Sequence, residues 1–312
     1  MKFRRFGAVA VLALLTACGE PPLPVEPGVS VALAEHRRAV LSDIAYTLDF
    51  DIPADPDEAI VGSVTIDCVL AGAPRPLQLD FRERGDLIHS IVVNGSESAW
   101  HFADEHIVIP AEVLVAGENV VSIEFTAGSS SLNRNPGYLY TLFVPDRART
   151  AFPLFDQPDL KATYALTLRL PRGWTAMSNA PISRVHWDAT STEYRFSPSD
   201  LISSYLFSFV AGEFETVSRD VGGRQMTMLH RETDREKVAR NLDDIFFLHA
   251  AALDWLEAYT GIDYPFTKFG FALIPAFQYG GMEHVGAIQY RASSLLLDEA
   301  PSETRLLSRA SL

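Results

Sequence analysis

From about Ala45 to Val217 apolar and polar side chains alternate, and that pattern limits the fold more than anything else in the chain. Tyr46, Leu48, Phe50 and Ile52 alternate with polar neighbours. The same period of two recurs in Val61-Gly62-Ser63-Val64-Thr65-Ile66, Leu77 to Phe81, Ile88 to Val93, His106 to Ile109 and Val120 to Phe125. Successive side chains of a strand point to opposite faces, so the pattern predicts strands with one buried face. Asn94-Gly95 and Gly117-Glu118-Asn119 supply turn chemistry between the runs. Residues 36–220 are therefore predicted to form an antiparallel β-sandwich or saddle.

Near Val221-Gly222-Gly223 the period changes. A further strand, Gln225 to Leu229, precedes Thr233-Asp234-Arg235-Glu236, which predicts a capping box with Thr233 and Glu236 as its partners. Val238, Leu242, Ile245, Phe246, His249, Leu253 and Leu256 then recur at helical spacing, and Gly261 stands where the helix should close. His249 on that apolar stripe reads as a satisfied core histidine. Phe269 to Phe277 and Ala287 to Tyr290 are predicted strands. Ser302 is the expected N-cap of a last helix whose first apolar positions are Leu306, Leu307 and Ala310. A domain seldom ends on such an uncapped amphipathic helix, so the expectation is that residues 221–312 open a domain that is cut short.

The formal charge is −14, with 26 Lys and Arg against 40 Asp and Glu. Phosphate backbones repel such a chain, which excludes nucleic acid as a partner. Lys2, Arg4 and Arg5 precede an apolar run from Phe6 to Leu15 and then Leu15-Thr16-Ala17-Cys18. This has the three-part form of an export signal and resembles a bacterial lipobox. The expectation is a signal peptide over 1–17, a lipid on the Cys18 sulfur, a proline-containing tether over 18–35 and a periplasm-facing, membrane-attached product. Cys68 lies in an apolar strand run and reads as a buried small hydrophobe.

Between the two last predicted strands stands Gly280-Gly281-Met282-Glu283-His284. Paired glycines beside a carboxylate suit a backbone that approaches a ligand closely. Taken with Ala148-Arg149-Thr150-Ala151-Phe152-Pro153-Leu154-Phe155-Asp156-Gln157-Pro158 and Lys161-Ala162-Thr163-Tyr164, this stretch resembles the zinc aminopeptidase family typified by aminopeptidase N, a group of gluzincin metallopeptidases. The first segment is similar to that family's Ala-Arg-x-x-Phe-Pro-Cys-Phe-Asp-Glu-Pro-x-x-Lys-Ala run and the second to its Gly-x-Met-Glu-Asn motif. Gly261-Ile262-Asp263-Tyr264-Pro265-Phe266 and Tyr290-Arg291 also fit.

The resemblance implies a mostly β, α+β chain: a β-saddle followed by the opening sheet and helices of a thermolysin-like catalytic domain. It implies zinc in the parent enzyme and peptides with a free N-terminus as partners. It also implies that Glu283 holds the substrate ammonium in a largely dry cleft, with Gly280, Gly281, Met282 and His284 around it. A charge-assisted bond of that kind selects a chain end over an internal amide. The glycines would let the peptide backbone lie alongside as an added strand.

Three departures stand out. The family's His-Glu-x-x-His does not occur: no two of His36, His89, His101, His106, His186, His230, His249 and His284 are four apart. Metal ligands and catalytic groups are therefore expected beyond Leu312, leaving this chain inactive alone. Val144, in Thr141-Leu142-Phe143-Val144-Pro145, stands where the family usually has Glu or Gln as a second contact for the amine. His284 replaces Asn and adds a group expected to titrate near neutral pH. The alternative function is a non-catalytic, lipid-anchored peptide-binding or interaction module. That module would be expected to expose the apolar faces of Phe269 to Phe277 and of the Val238 to Leu256 helix.

Overall fold

A computed structural model describes residues 23–312; the expected signal segment, Cys18 and the start of the tether lie outside the described residues. The described chain opens with α1 (Val31–Val40), which runs directly into β1 (Leu41–Asp51). There follow β2 (Val61–Leu70), β3 (Leu77–Asp80), β4 (Ile88–Val93), β5 (Ser96–Glu97), β6 (His101–Ala103), β7 (His106–Ile109), β8 (Gly117–Thr126), β9 (Leu132–Asn135) and β10 (Tyr138–Thr141). After them come β11 (Thr163–Pro171), β12 (Thr175–Ser178), β13 (Ile182–Trp187), β14 (Ser191–Phe196) and β15 (Phe209–Gly212). The remainder is β16 (Glu215–Val221), β17 (Arg224–His230), α2 (Arg235–Thr260), β18 (Phe269–Ile274), β19 (Gly281–Met282), β20 (Ile288–Arg291), α3 (Ala292–Leu295) and α4 (Glu303–Ala310).

The chain is mostly β. An eight-stranded sheet, β13-β14-β11-β1-β2-β8-β4-β5, shares one core with the three-stranded β3-β7-β6 and the four-stranded β12-β15-β10-β9. The alternation read from sequence is what builds it: Tyr46, Leu48, Phe50 and Ile52 are all buried, as is Cys68. The antiparallel expectation needs one correction. β1 pairs with β11 in parallel, Tyr46 opposite Tyr164, because β11 returns to the sheet only after the long excursion through β2 to β10.

The tether expected over 18–35 is also shorter than that. Ser30 caps α1, its Oγ accepting from Leu33 N at 3.3 Å, and the helix buries Leu33 and Arg37. Ahead of it, Gln78 Nε2 donates to Pro24 O and Gly28 N to Glu105 Oε2, so this stretch lies along the β-domain.

The Ala148 to Pro158 segment is a buried polar hub. Arg37 forms a two-pronged ion pair with Asp80 at 2.7 and 2.8 Å. Asp80 Oδ2 also accepts from Asp156 N at 2.7 Å. Asp156 accepts from Arg149 N and Ser204 Oγ, and Phe155 N donates to Tyr46 Oη. Desolvation pushes the Asp156 carboxyl up to about 6.

The five-stranded sheet, β16-β17-β18-β20-β19, begins at Glu215 and therefore ahead of residue 221. β17, α2 and β18 form a parallel crossover unit. Asp234, not Thr233, caps α2: its Oδ1 accepts from Lys237 N at 2.9 Å, while Glu232 Oε1 takes the Thr233 and Asp234 amides. Gly261 closes the helix in the left-handed region at φ 69°.

The expected exposure of Phe269 to Phe277 does not occur over β18, whose Phe271, Ala272, Leu273 and Ile274 are fully buried. Phe271 and Leu273 pack with Ile245, Phe246 and Leu253 of α2, whereas Ala272 and Ile274 pack with Tyr140 and Val210 of the four-stranded sheet. Leu256, expected on the buried stripe, is exposed. On α4, Ser302 caps as expected, but Leu306 and Leu307 are exposed. Arg309 is the buried residue instead, reaching Asn241 Oδ1 at 2.9 Å and Asp244 Oδ2 at 2.6 Å on α2.

Candidate functional site

The Gly280 to His284 stretch sits at the rim of the five-stranded sheet. Gly281 pairs with Tyr290 and Met282 with Gln289, and β19 is the last strand in the order. Its outer edge thus meets no further strand among the described residues, the arrangement an incoming peptide strand needs. Gly280 O accepts from Arg291 N at 3.0 Å. The Arg291 side chain fastens the preceding turn, Nε to Phe277 O at 3.0 Å and Nη2 to Gln278 O at 2.9 Å.

Met282 turns inward among Tyr140, Ile274 and Phe277, and Val144 packs partly buried against that same cluster. Glu283 faces the other way: it is exposed, and no hydrogen bond or ion pair joins it to another described residue. The glycines have a reason internal to the fold. A Cβ on Gly281 would lie 2.9 Å from the Tyr290 ring, and one on Gly280 would lie 2.9 Å from Leu312 at the end of the chain.

Behind Glu283 the backbone is held from both parts of the molecule. His284 O accepts from Ala287 N across a tight turn in which Gly286 has φ +65°. A Cβ there would meet Asn179 O at 2.4 Å. Asn179 Nδ2 donates to Val285 O and Leu206 O, both at 2.8 Å, and its Oδ1 accepts from Ser208 N. Lys268 Nζ donates to Gly286 O and to Ser178 O, and Gln289 Nε2 reaches Thr141 O and Ser208 Oγ. Sequence reading passed over Asn179, Lys268 and Gln289. Each is a polar side chain whose role depends on a strand distant in sequence, and no local pattern announces it.

Two expectations are corrected here. His284 is fully buried, neither ring nitrogen has a partner among the described residues, and desolvation pulls its pKa down to about 3. It stays neutral near pH 7 rather than titrating there. The largely dry cleft expected at Glu283 is not formed by the described residues. A cavity of about 220 Å³ lies between α2, β18, β20 and α4, lined by Ile245, His249, Leu253, Tyr290, Arg309 and Leu312 among others, and Glu283 is not on it. His249 is held there as a core histidine: Nδ1 lies 2.7 Å from Ile245 O, Nε2 lies 3.2 Å from Tyr290 Oη, and the ring stacks on Phe271.

Among the described residues no three His, Cys, Asp or Glu side chains converge in a way that could hold a metal ion. The described residues therefore do not fit a zinc centre.

Comparison with known proteins now decides the family. The model of the peptidase M1 N-terminal domain matches residues 43–206, more than half of the chain. The chain belongs to the M1 peptidase family. The peptidase family M1 domain model matches residues 247–311, and so covers this M1 chain from the middle of α2 to α4. Aminopeptidase N of Streptomyces lividans is 30% identical over 285 residues, 85% of this chain and 32% of that protein. Aminopeptidase M1-B of Oryza sativa subsp. japonica is 29% identical over 301 residues, 88% of this chain and 32% of that protein. Probable aminopeptidase 1 of Sulfurisphaera tokodaii is 35% identical over 170 residues, 54% of this chain and 21% of that protein. The M1 chain thus spans about a third or less of the length of these curated relatives. Among its described residues no helix is long and apolar enough to cross a membrane.

Proposed function

We propose that this chain is the N-terminal portion of a zinc-dependent aminopeptidase that releases N-terminal amino acids from peptides, and that its own part is to read the substrate's amino end. The observation that carries this is the pairing of an open sheet edge at Gly281-Met282 with an exposed carboxylate at Glu283, on a loop braced from two sheets. A peptide added to β19 would align its backbone with that edge and bring its ammonium toward Glu283. An exposed ion pair is worth only about 0–1 kcal/mol. Strong selection of the amine therefore requires that a further part of the parent enzyme cover this edge and exclude water. Zinc and the groups that attack the peptide would belong to the parent and not to the residues described here. Lipid attachment at Cys18, on the periplasmic side of a bacterial envelope, is part of the same proposal and rests on the basic residues, the Phe6 to Leu15 apolar run and the Leu-Thr-Ala-Cys ending.

One observation favours the second reading, a tethered, non-catalytic peptide-binding module. β18 is covered on both faces, which lowers the aggregation hazard that counted against such a module.

Fluorescence anisotropy with a labelled oligopeptide tests amine reading. The free-amine form is expected to bind more tightly than its N-acetylated twin. Equal binding of the two would remove the amine from the proposal, and no binding of either would remove the peptide.

A further inference from the structure

Away from β19, a cavity of about 340 Å³ opens where the β-domain meets the five-stranded sheet. Its walls are largely apolar, with Ala176, Met177, Ile182, Phe196 and Leu229 on them, and Lys268 lines it. The Lys268 amine is held in an unusual way for a lysine. Its Nζ donates to the carbonyls of Ser178 and Gly286, and no carboxylate pairs with it among the described residues. Asp200, in the neighbouring loop, is bonded through Oδ2 to the Thr267 amide and hydroxyl instead. Two acceptors match the two N–H groups of a neutral amine and leave its lone pair unused, whereas an ammonium would have a third N–H to satisfy.

We propose that Lys268 is a nucleophilic lysine and that this cavity is a covalent capture site for small apolar aldehydes. The lone pair on Nζ attacks the aldehyde carbon and the C–N bond forms. The carbonyl oxygen leaves as water with both amine protons, giving an imine. Uptake of one proton from solvent restores a single N–H for one of the two backbone carbonyls. No oxidant, reductant or metal is required. Desolvation supports the assignment, because it pulls the Lys268 pKa down to about 7 and so frees the lone pair near neutral pH.

The chain has four lysines, Lys2, Lys161, Lys237 and Lys268, which makes the test internal. Lys161 is exposed, and Lys237 is paired with Glu232 and Asp298. The protein is treated with isobutyraldehyde and cyanoborohydride near pH 7, and adducts are located by peptide mass spectrometry. Lys268 is expected to be modified at least about tenfold faster than Lys161, the direction set by the desolvation of Lys268. The variant Thr216→Trp, which narrows the cavity from an exposed position on β16, is expected to slow Lys268 and leave Lys161 unchanged. Equal rates at Lys268 and Lys161 in the unmodified protein would overturn the proposal. So would a Lys268 rate indifferent to Thr216→Trp, which would place the reaction outside this cavity.

Discussion

Asn179, in the loop after β12, donates from Nδ2 to the backbone oxygen of Val285 at 2.8 Å, and thereby ties the turn behind Glu283 to the β-domain. The same side chain binds Leu206 O and Ser208 N, so one buried amide satisfies three backbone groups. The position of Glu283 is in this sense decided by a residue more than a hundred positions earlier.

Asn179→Leu is expected to leave those three groups without partners and to cost roughly 2–4 kcal/mol, since each orphaned buried group costs about 1–3 kcal/mol and some regain water. Urea unfolding measures it. A loss below about 1 kcal/mol would show that water replaces the amide and that the tie is incidental.

Gly286→Ala should act on the same turn from the other side. The residue sits at φ +65°, and a methyl would press against Asn179 O at 2.4 Å. The expected cost is at least about 1–2 kcal/mol from the left-handed backbone alone, more with the contact. Thermal unfolding of the variant beside the parent protein checks it.

Burial of His284 makes stability depend on pH in a definite direction. The folded pKa, about 3, lies below the value of about 6.5 in an unfolded chain, so the unfolded state binds the extra proton between them. This contribution is fully present above about pH 6.5 and is lost as pH falls toward 3. Asp156 works oppositely: raised to about 6, it favours folding as pH falls from 6 toward 4. The comparison must therefore be a difference. His284→Leu is expected to lose roughly 2–3 kcal/mol less than the parent protein between pH 7 and about pH 4.5. Parallel urea unfolding at the two pH values gives the number, and identical pH dependence would place the imidazole in contact with water.

Arg37→Met should be among the most damaging changes. It leaves the Asp80 carboxylate buried with its partner removed, and Gln78 O loses a donor. A loss of about 3–5 kcal/mol is expected. If unfolding shows a change under 1 kcal/mol, the ion pair contributes little to the β-domain.

Much of the architecture was legible because it depends on short-range pattern. Alternation gave Tyr46, Leu48, Phe50 and Ile52 as one face, and Gly261 and Ser302 marked helix ends by chemistry that acts within a turn. The parallel pairing of β1 with β11 was not legible, since register between strands more than a hundred residues apart leaves no local mark. The cap on α2 moved from Thr233 to Asp234 because adjacent side chains compete for the same amides. At the site, the pairing of glycines with a carboxylate was readable, and so was the family. What escaped was the support: Asn179 reaches Val285 and Lys268 reaches Ser178 across a sheet boundary, and His284 is silenced by burial that sequence does not display.

The most direct test concerns the exposed carboxylate itself. Titration calorimetry with a free-amine peptide and its N-acetylated twin is run on the parent protein and on Glu283→Gln. Because Glu283 makes no bond to another described residue, the variant should fold normally. The parent protein is expected to favour the free amine, and Glu283→Gln to bind both peptides alike. A free-amine preference that survives in Glu283→Gln would contradict the assignment of amino-end recognition to this residue.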